Sequence, residues 1–219
     1  IGSPHSVNLV EDHMDEGSSG EIELDSAPVL VDGAEYLLEL MGRDAAGNRS
    51  ETARVSNLRY DLTPPVFTVT YPTTDIYVLD SRVAYGLSEL LAEGRVTWSQ
   101  TDGTADSRSP HDLLLSGEEL STEQLDRLLT SVPSLTDGST YSVTFNGTDA
   151  AGNKAEEIVV NEVKVDYTPP VLTLNSPVSE SAIKNTSVAF TISENLKDAS
   201  MLWTHVDGPN DPSSPHAVP

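Results

Sequence analysis

Cysteine is absent from the 219 residues, so no disulfide braces the chain. A reducing compartment leaves that trace, and so does a bacterial surface protein that never relied on disulfides. Basic residues are scarce: 12 Lys plus Arg stand against 35 Asp plus Glu, a formal net charge of -23. A field of that sign repels nucleic acid and anionic membrane, because no basic patch offsets the phosphate charge. It suits a chain living among divalent cations or high salt. No run of 18 apolar residues occurs, which argues against direct membrane insertion. The start, Ile1-Gly2-Ser3-Pro4-His5, lacks the charged and apolar regions of a signal peptide, so targeting information is expected elsewhere. Aromatics are few, at seven Tyr, three Phe and two Trp, so a binding face paved with rings is not expected. The hydrophobic fraction of 37% still suffices for small cores and is too patterned for disorder.

What is present is a repeat. Asp44-Ala45-Ala46-Gly47-Asn48 recurs 105 residues on as Asp149-Ala150-Ala151-Gly152-Asn153. Asp32-Gly33 and Tyr36 recur at the same offset as Asp137-Gly138 and Tyr141, and Asp61-Leu62-Thr63-Pro64-Pro65 as Asp166-Tyr167-Thr168-Pro169-Pro170. Ser88-Glu89 and Trp98 return as Ser193-Glu194 and Trp203, and Asp102-Gly103 as Asp207-Gly208. Ser-Pro-His begins at Ser3, Ser109 and Ser214. Proline stiffens linkers and cannot donate to a ladder, so the two Thr-Pro-Pro segments read as boundaries. They delimit three segments: 1–62, the C-terminal part of a repeat; 63–167, a complete repeat; and 168–219, an N-terminal part.

Within the complete segment, Val66 to Tyr71 is β-branched and aromatic-rich and stops at Pro72. Val83, Tyr85 and Leu87 alternate with Arg82, Ala84 and Gly86; Val96 and Trp98 alternate with Arg95, Thr97 and Ser99. Tyr141, Val143 and Phe145 form the clearest strand, and a return strand runs through Ile158, Val160, Val163 and Val165. Ser121 to Thr130 is ambiguous. It has the look of a short helix capped by Ser121 or Thr122, yet its counterpart Gly20-Glu21-Ile22-Glu23-Leu24-Asp25 alternates with period two. The repeat comparison favours a strand and leaves room for a helical turn before it. Short strands separated by turn signals predict an all-β fold built of sandwiches.

Leu135-Thr136-Asp137-Gly138-Ser139-Thr140-Tyr141 resembles the tyrosine corner of fibronectin type III and related Ig-like domains, in which a Tyr early in strand F hydrogen-bonds back to the preceding turn. Leu30 to Tyr36 has the same spacing. Asp-Ala-Ala-Gly-Asn followed by a strand and Asp-x-Thr-Pro-Pro looks like the bacterial Ig-like repeats of large surface adhesins. The resemblance implies tandem Ig-like, fibronectin type III-like β-sandwich repeats, one complete and two partial, with Trp98 and Trp203 as core aromatics. The 1–62 segment would hold the strands from D or E through G, and 168–219 those from A through C. One chain's tail would then be able to complete another's head.

Asp44 and Asp149 open hairpin connections, and an Asx-turn with a glycine at positive φ explains them fully. A sharper reading makes Asp44 with Asn48, and Asp149 with Asn153, hard-oxygen ligands for calcium. The Ig-like resemblance implies that the linker, the B–C loop and the F–G loop share one end. That gathers Asp61, Glu89 and Asp149 at one junction, and Asp166, Glu194 and Asp198 at the next. Carboxylates so crowded repel one another unless a cation neutralises them; related adhesin repeats bind such calcium. The plain alternative is acidic loops solvated by water and salt. The far end of the complete repeat would add Asp102-Gly103-Thr104-Ala105-Asp106, mirrored by Asp207 to Asp211.

No catalytic constellation emerges, and the chain reads as something other than an enzyme. His5, His111 and His216 fall one per repeat, without a second His or Cys at ligand spacing, so a Pro-shaped loop explains them better than zinc. No Gly-x-Ser-x-Gly elbow occurs. The expected role is a structural or adhesive extender of an extracellular or cell-surface bacterial protein, stiffened by calcium between repeats. Its partners would be neighbouring repeats of the same chain and a surface glycan or protein ligand. The rival is a ligand- or carbohydrate-binding accessory module of a larger extracellular enzyme, which requires exposed aromatics; only Tyr77, and to a lesser degree Tyr71, stands free of the inward pattern.

Overall fold

Alternation of apolar and polar residues puts one side of a strand out of water, and the strands of the middle segment obey it closely. In the computed structural model, which describes residues 4–9, 14, 15, 17 and 27–218, these strands form two sheets around one core. The first sheet is three-stranded, with β3 (Phe67–Tyr71), β5 (Val83–Leu87) and β8 (Leu125–Arg127) in that order and all antiparallel. The second has the order β4 (Ile76–Val78), β10 (Ile158–Val165), β9 (Ser139–Thr148), β6 (Glu93–Gly103), β7 (His111–Leu114). Its β4 runs parallel to β10, while its other pairs are antiparallel.

The core between the sheets takes Phe67, Tyr85 and Leu87 from one and Val96, Trp98, Tyr141, Val143, Phe145, Val163 and Val165 from the other. Phe67, Tyr85 and Phe145 meet at ring-centroid separations of 5.5 to 6.1 Å, tilted or edge-on. Each such side chain withdrawn from water contributes about 1.5–3 kcal/mol. The return strand keeps both Val160 and Val163 inward because its ladder shifts register between them, around Glu162 at φ 58°. The same left-handed residue stands 105 positions earlier, Asn57 at φ 59°, in β2 (Ala53–Arg59), which pairs with β1 (Glu35–Leu40).

The ambiguous stretch resolves against a helix from Ser121 to Thr130. Leu125–Arg127 is the edge strand β8, with Leu125 in the core. A helical turn does precede it, a 3-10 turn over Gly117–Leu120, and the capping box belongs there. Ser116 N–H donates to Glu119 Oε2 at 2.8 Å, so the cap lies five residues before the expected Ser121. Glu119 is fully buried: burial pushes its carboxyl up, but hydrogen bonds from Thr130 and Ser116 outweigh this and hold it below its ordinary value. The period-two segment Gly20 to Asp25 lies outside the described residues.

The chain divides into two compact units, Ile1–Asp166 and Tyr167–Pro219. The second contains two hairpins, β11 (Leu172–Ser176) with β12 (Ala189–Ile192), and β13 (Met201–Trp203) with β14 (His216–Val218). Among the described residues there is no α-helix, and no helix long and apolar enough to cross a membrane.

Candidate cation-binding site

Three carboxylates meet where the 1–62 segment runs into the two-sheet core. Asp61 follows β2, Glu89 follows β5 and Asp149 follows β9; one ligating oxygen from each lies within 4.8 Å of the others. Oxygens bound to one calcium at 2.3–2.6 Å can be no more than about 5 Å apart, so this spacing fits a shared ion. Carboxylate oxygens are the hard donors that calcium takes.

Each residue is placed by local chemistry. Asp149 is buried, and its loop is closed by its own side chain: Ala151 N–H and Asn153 N–H donate to Oδ1 at 2.8 and 2.9 Å, and Asn153 Nδ2 donates to Oδ2 at 2.8 Å. Gly152 at φ 94° completes the turn. Burial raises the Asp149 carboxyl, but the Asn153 and Ala151 hydrogen bonds outweigh it and hold it below its ordinary value. Asn153 also donates Nδ2 to the Asp61 carbonyl oxygen at 3.0 Å, tying the hairpin to the linker. In this arrangement Asn153 presents its amide N–H to the carboxylate, and acts by positioning Asp149 and Asp61.

Asp61 accepts from Thr63 N–H at 3.1 Å and faces the Arg59 guanidinium at 3.7 Å. Asp32 holds the same linker, accepting from Leu62 N–H and Thr63 Oγ1, each at 2.6 Å. Glu89 is set by the neighbouring Ser88, whose N–H donates to Val66 O at 3.0 Å and whose Oγ accepts from Val66 N–H at 2.9 Å. Burial, with the Asp61 and Asp149 carboxylates beside it, raises the Glu89 carboxyl above its ordinary range; Arg59 opposes this. A site that disfavours its own negative charge is one a cation would relieve.

The remaining expected ligands sit elsewhere. Asp44 and Asn48 reproduce the Asp149 hairpin, with Asn48 N–H and Nδ2 each 2.8 Å from the Asp44 carboxylate, but they are exposed. Among the described residues no further pair of His, Cys, Asp or Glu joins Asp44 in a metal-sized group. Asp166 ends the first unit, its N–H donating to Val78 O at 3.1 Å. Glu194 belongs to the second unit and lines a shallow depression with Ser193, Asn195 and Asp198.

At the far end of the core, in the acidic turn from Asp102 to Asp106, Asp106 is buried. Its Oδ2 accepts from Tyr141 OH at 2.7 Å and lies 2.6 Å from His111 Nε2, while Arg108 N–H donates to Oδ1 at 3.0 Å. These partners, His111 first, hold its carboxyl far below the usual range. His111 is therefore half of a carboxylate pair, and Asp211 with His216 repeats it at 2.7 Å. The signal was legible as Asp-x4-His at both positions. The tyrosine corner forms as expected: Thr136 N–H donates to Tyr141 OH at 2.9 Å, and Val31 N–H to Tyr36 OH at 2.8 Å.

Comparison with known proteins matches the model of the bacterial Ig-like domain family (group 3) to residues 131–208. The matched stretch runs from before the tyrosine corner, across Thr168-Pro169-Pro170, to Gly208. Over it, the resemblance carried by the tyrosine corner and Asp-Ala-Ala-Gly-Asn is borne out, and the family is a non-catalytic module type. No curated protein matches the chain.

Proposed function

We propose that the chain is an extender segment of a secreted or cell-surface bacterial multi-repeat protein, in which Ig-like sandwiches act as beads along a stalk. One complete repeat spans 63–167, with parts of two others over 1–62 and 168–219. Calcium at Asp61, Glu89 and Asp149 ties the incoming linker to the complete sandwich. The observation that carries this reading is the convergence of those three carboxylates, from three separate loops, within 4.8 Å at the point where the linker arrives. Arg59 and the Asn153–Asp61 hydrogen bond already restrain that linker, and a divalent ion would add charge neutralisation to the restraint.

The features that recur along the chain are turns, linkers and junctions, which are what an array needs. The accessory-module alternative wants a row of exposed rings. The complete repeat exposes Tyr77, with the Lys164 ammonium 5.3 Å from its ring centre, and buries or half-buries the aromatics of its core. The test is thermal melting and small-angle scattering of the chain with calcium and with chelator. Calcium should raise the melting temperature and narrow the distribution of dimensions; no change in either sinks the calcium part.

A further inference from the structure

One ladder of the complete repeat joins the strand nearest its entry to the strand at its exit. β4 and β10 run parallel, with Ile76 opposite Val163, Tyr77 opposite Lys164 and Val78 opposite Val165. Every other strand ladder among the described residues is antiparallel. Ile76 and Val78 turn to the core with Val163 and Val165, which leaves Tyr77 and Lys164 on the outer side. Main-chain bonds bracket the pair: Asp75 N–H donates to Asn161 O at 3.3 Å, and Asp166 N–H to Val78 O at 3.1 Å.

Side chains cross the same seam. The Lys164 ammonium donates to Asp75 Oδ1 and stands 5.3 Å from the centre of the Tyr77 ring. Asp75 is left-handed at φ 60°, uncommon outside glycine. Glu180, 105 residues on, is again acidic and has the same φ of 60°; Arg59, 105 residues before Lys164, is again basic. An acid before the entry strand and a base on the exit strand are thus features of the repeat, whereas Tyr77 gives way to Ala182.

We propose that the β4–β10 ladder, latched by Asp75 and Lys164, is the load-bearing element of the repeat when the array is stretched. A pull enters through Thr63-Pro64-Pro65 and leaves through Asp166-Tyr167. In a parallel pair those are opposite ends of the ladder, so the strands are drawn past each other and their bonds take the load together. Antiparallel strands at the same two places would be peeled open one bond at a time. An exposed ion pair adds little to equilibrium stability. Rupture under load follows the unfolding rate instead, and a contact broken at that barrier counts there in full.

The proposal rests on the extender reading and needs no cation, so the whole chain is measured in chelator. A failed calcium response would leave this test standing, and the reverse holds too. The chain has no cysteine, so introduced pairs give unique handles for optical tweezers. Val66→Cys with Tyr167→Cys shears the ladder; Leu79→Cys with Tyr167→Cys, just beyond one shared end, peels it. At one constant force the sheared repeat should survive several times longer than the peeled one. Lys164→Ala should shorten the sheared lifetime about threefold. Asp75→Asn, which tolerates the left-handed backbone, should do the same. Arg82→Ala, which removes the two-bonded pair to Asp126 beside β5 and β8, should leave that lifetime unchanged. A cooperative thermal transition in each variant shows that it folds. Equal lifetimes in the two pulling directions overturn the proposal. So does a Lys164→Ala lifetime that matches the parent's or that of Arg82→Ala.

Discussion

The Asp106 carboxylate and the His111 ring, five residues apart across a turn, lie 2.6 Å from each other, with the same oxygen of Asp106 accepting the Tyr141 hydroxyl at 2.7 Å. A surface loop is thereby anchored to the inner face of a sheet, because Tyr141 belongs to β9 and is fully buried. The charge is kept by satisfying it: two side chains and the Arg108 N–H reach its two oxygens.

That anchoring has a pH signature. Asp106 is depressed in the folded state, chiefly by its bonds from His111 and Tyr141. Its contribution is therefore fully present above the ordinary carboxylate value of 3.8 and is lost as pH falls from there toward the folded value. Asp106→Asn should lower the melting temperature at neutral pH and flatten the acid limb of the stability curve, measured by thermal melts between neutral pH and pH 2. A variant as acid-sensitive as the parent would remove Asp106 from the account.

The two tyrosine corners give a matched comparison. Tyr141→Phe leaves the Thr136 N–H and a buried carboxylate short of one partner, and should cost about 1–3 kcal/mol in denaturant unfolding. Tyr36→Phe removes the equivalent bond to Val31 at an exposed site, where water replaces it, and should cost less than about 0.5 kcal/mol. Equal losses would mean that burial does not set the value of this bond.

Gly103 ends β6 at φ 82°, and a Cβ placed there would lie 2.2 Å from the Gly138 carbonyl oxygen. Gly103→Ala combines a strained backbone with a clash against main chain, so unfolding free energy should fall by at least about 2 kcal/mol. Gly152→Ala, also at positive φ but with open space around the added carbon, should lose about 1 kcal/mol. Chemical denaturation of both variants separates conformational strain from collision.

Glu89 titrates in the opposite sense to Asp106. Its folded value is raised by burial and by Asp61 and Asp149, so the folded state holds its proton longer than the unfolded chain. In chelator, stability should therefore decline as pH rises from the ordinary glutamate value of 4.5 through the raised one. Glu89→Gln should abolish that decline and make the chelated protein more stable at neutral pH. The same substitution should eliminate the stabilisation by calcium, read as the shift in melting temperature on adding the ion. A calcium shift that survives Glu89→Gln would place the ion elsewhere.

Much of this was legible in one dimension. Val96 and Trp98, or Tyr141, Val143 and Phe145, alternate strictly because a pleated strand sends every second side chain to the same side, and that rule is local. The 105-residue offset marked the corner tyrosines, the Asp-Ala-Ala-Gly-Asn hairpins and the Thr-Pro-Pro linkers without reference to any fold. Asp61, Glu89 and Asp149 were named together by adding the loop order of the resembled family to the acidic positions. The structure places them within one ion's reach.

Other features needed the third dimension. Asp106 looks like any turn aspartate until Tyr141, 35 residues away, is brought over it. The capping signal lay at Ser116 rather than Ser121 because β8 claims Leu125 for the core, and core burial outweighs a local preference for helix. Most telling are Leu38 and Leu40. Their sequence pattern matches that of Val143 and Phe145, yet they stand in water while their counterparts are sealed. Alternation determines which side of a strand is apolar. Only the presence of an opposing sheet decides whether that side becomes a core.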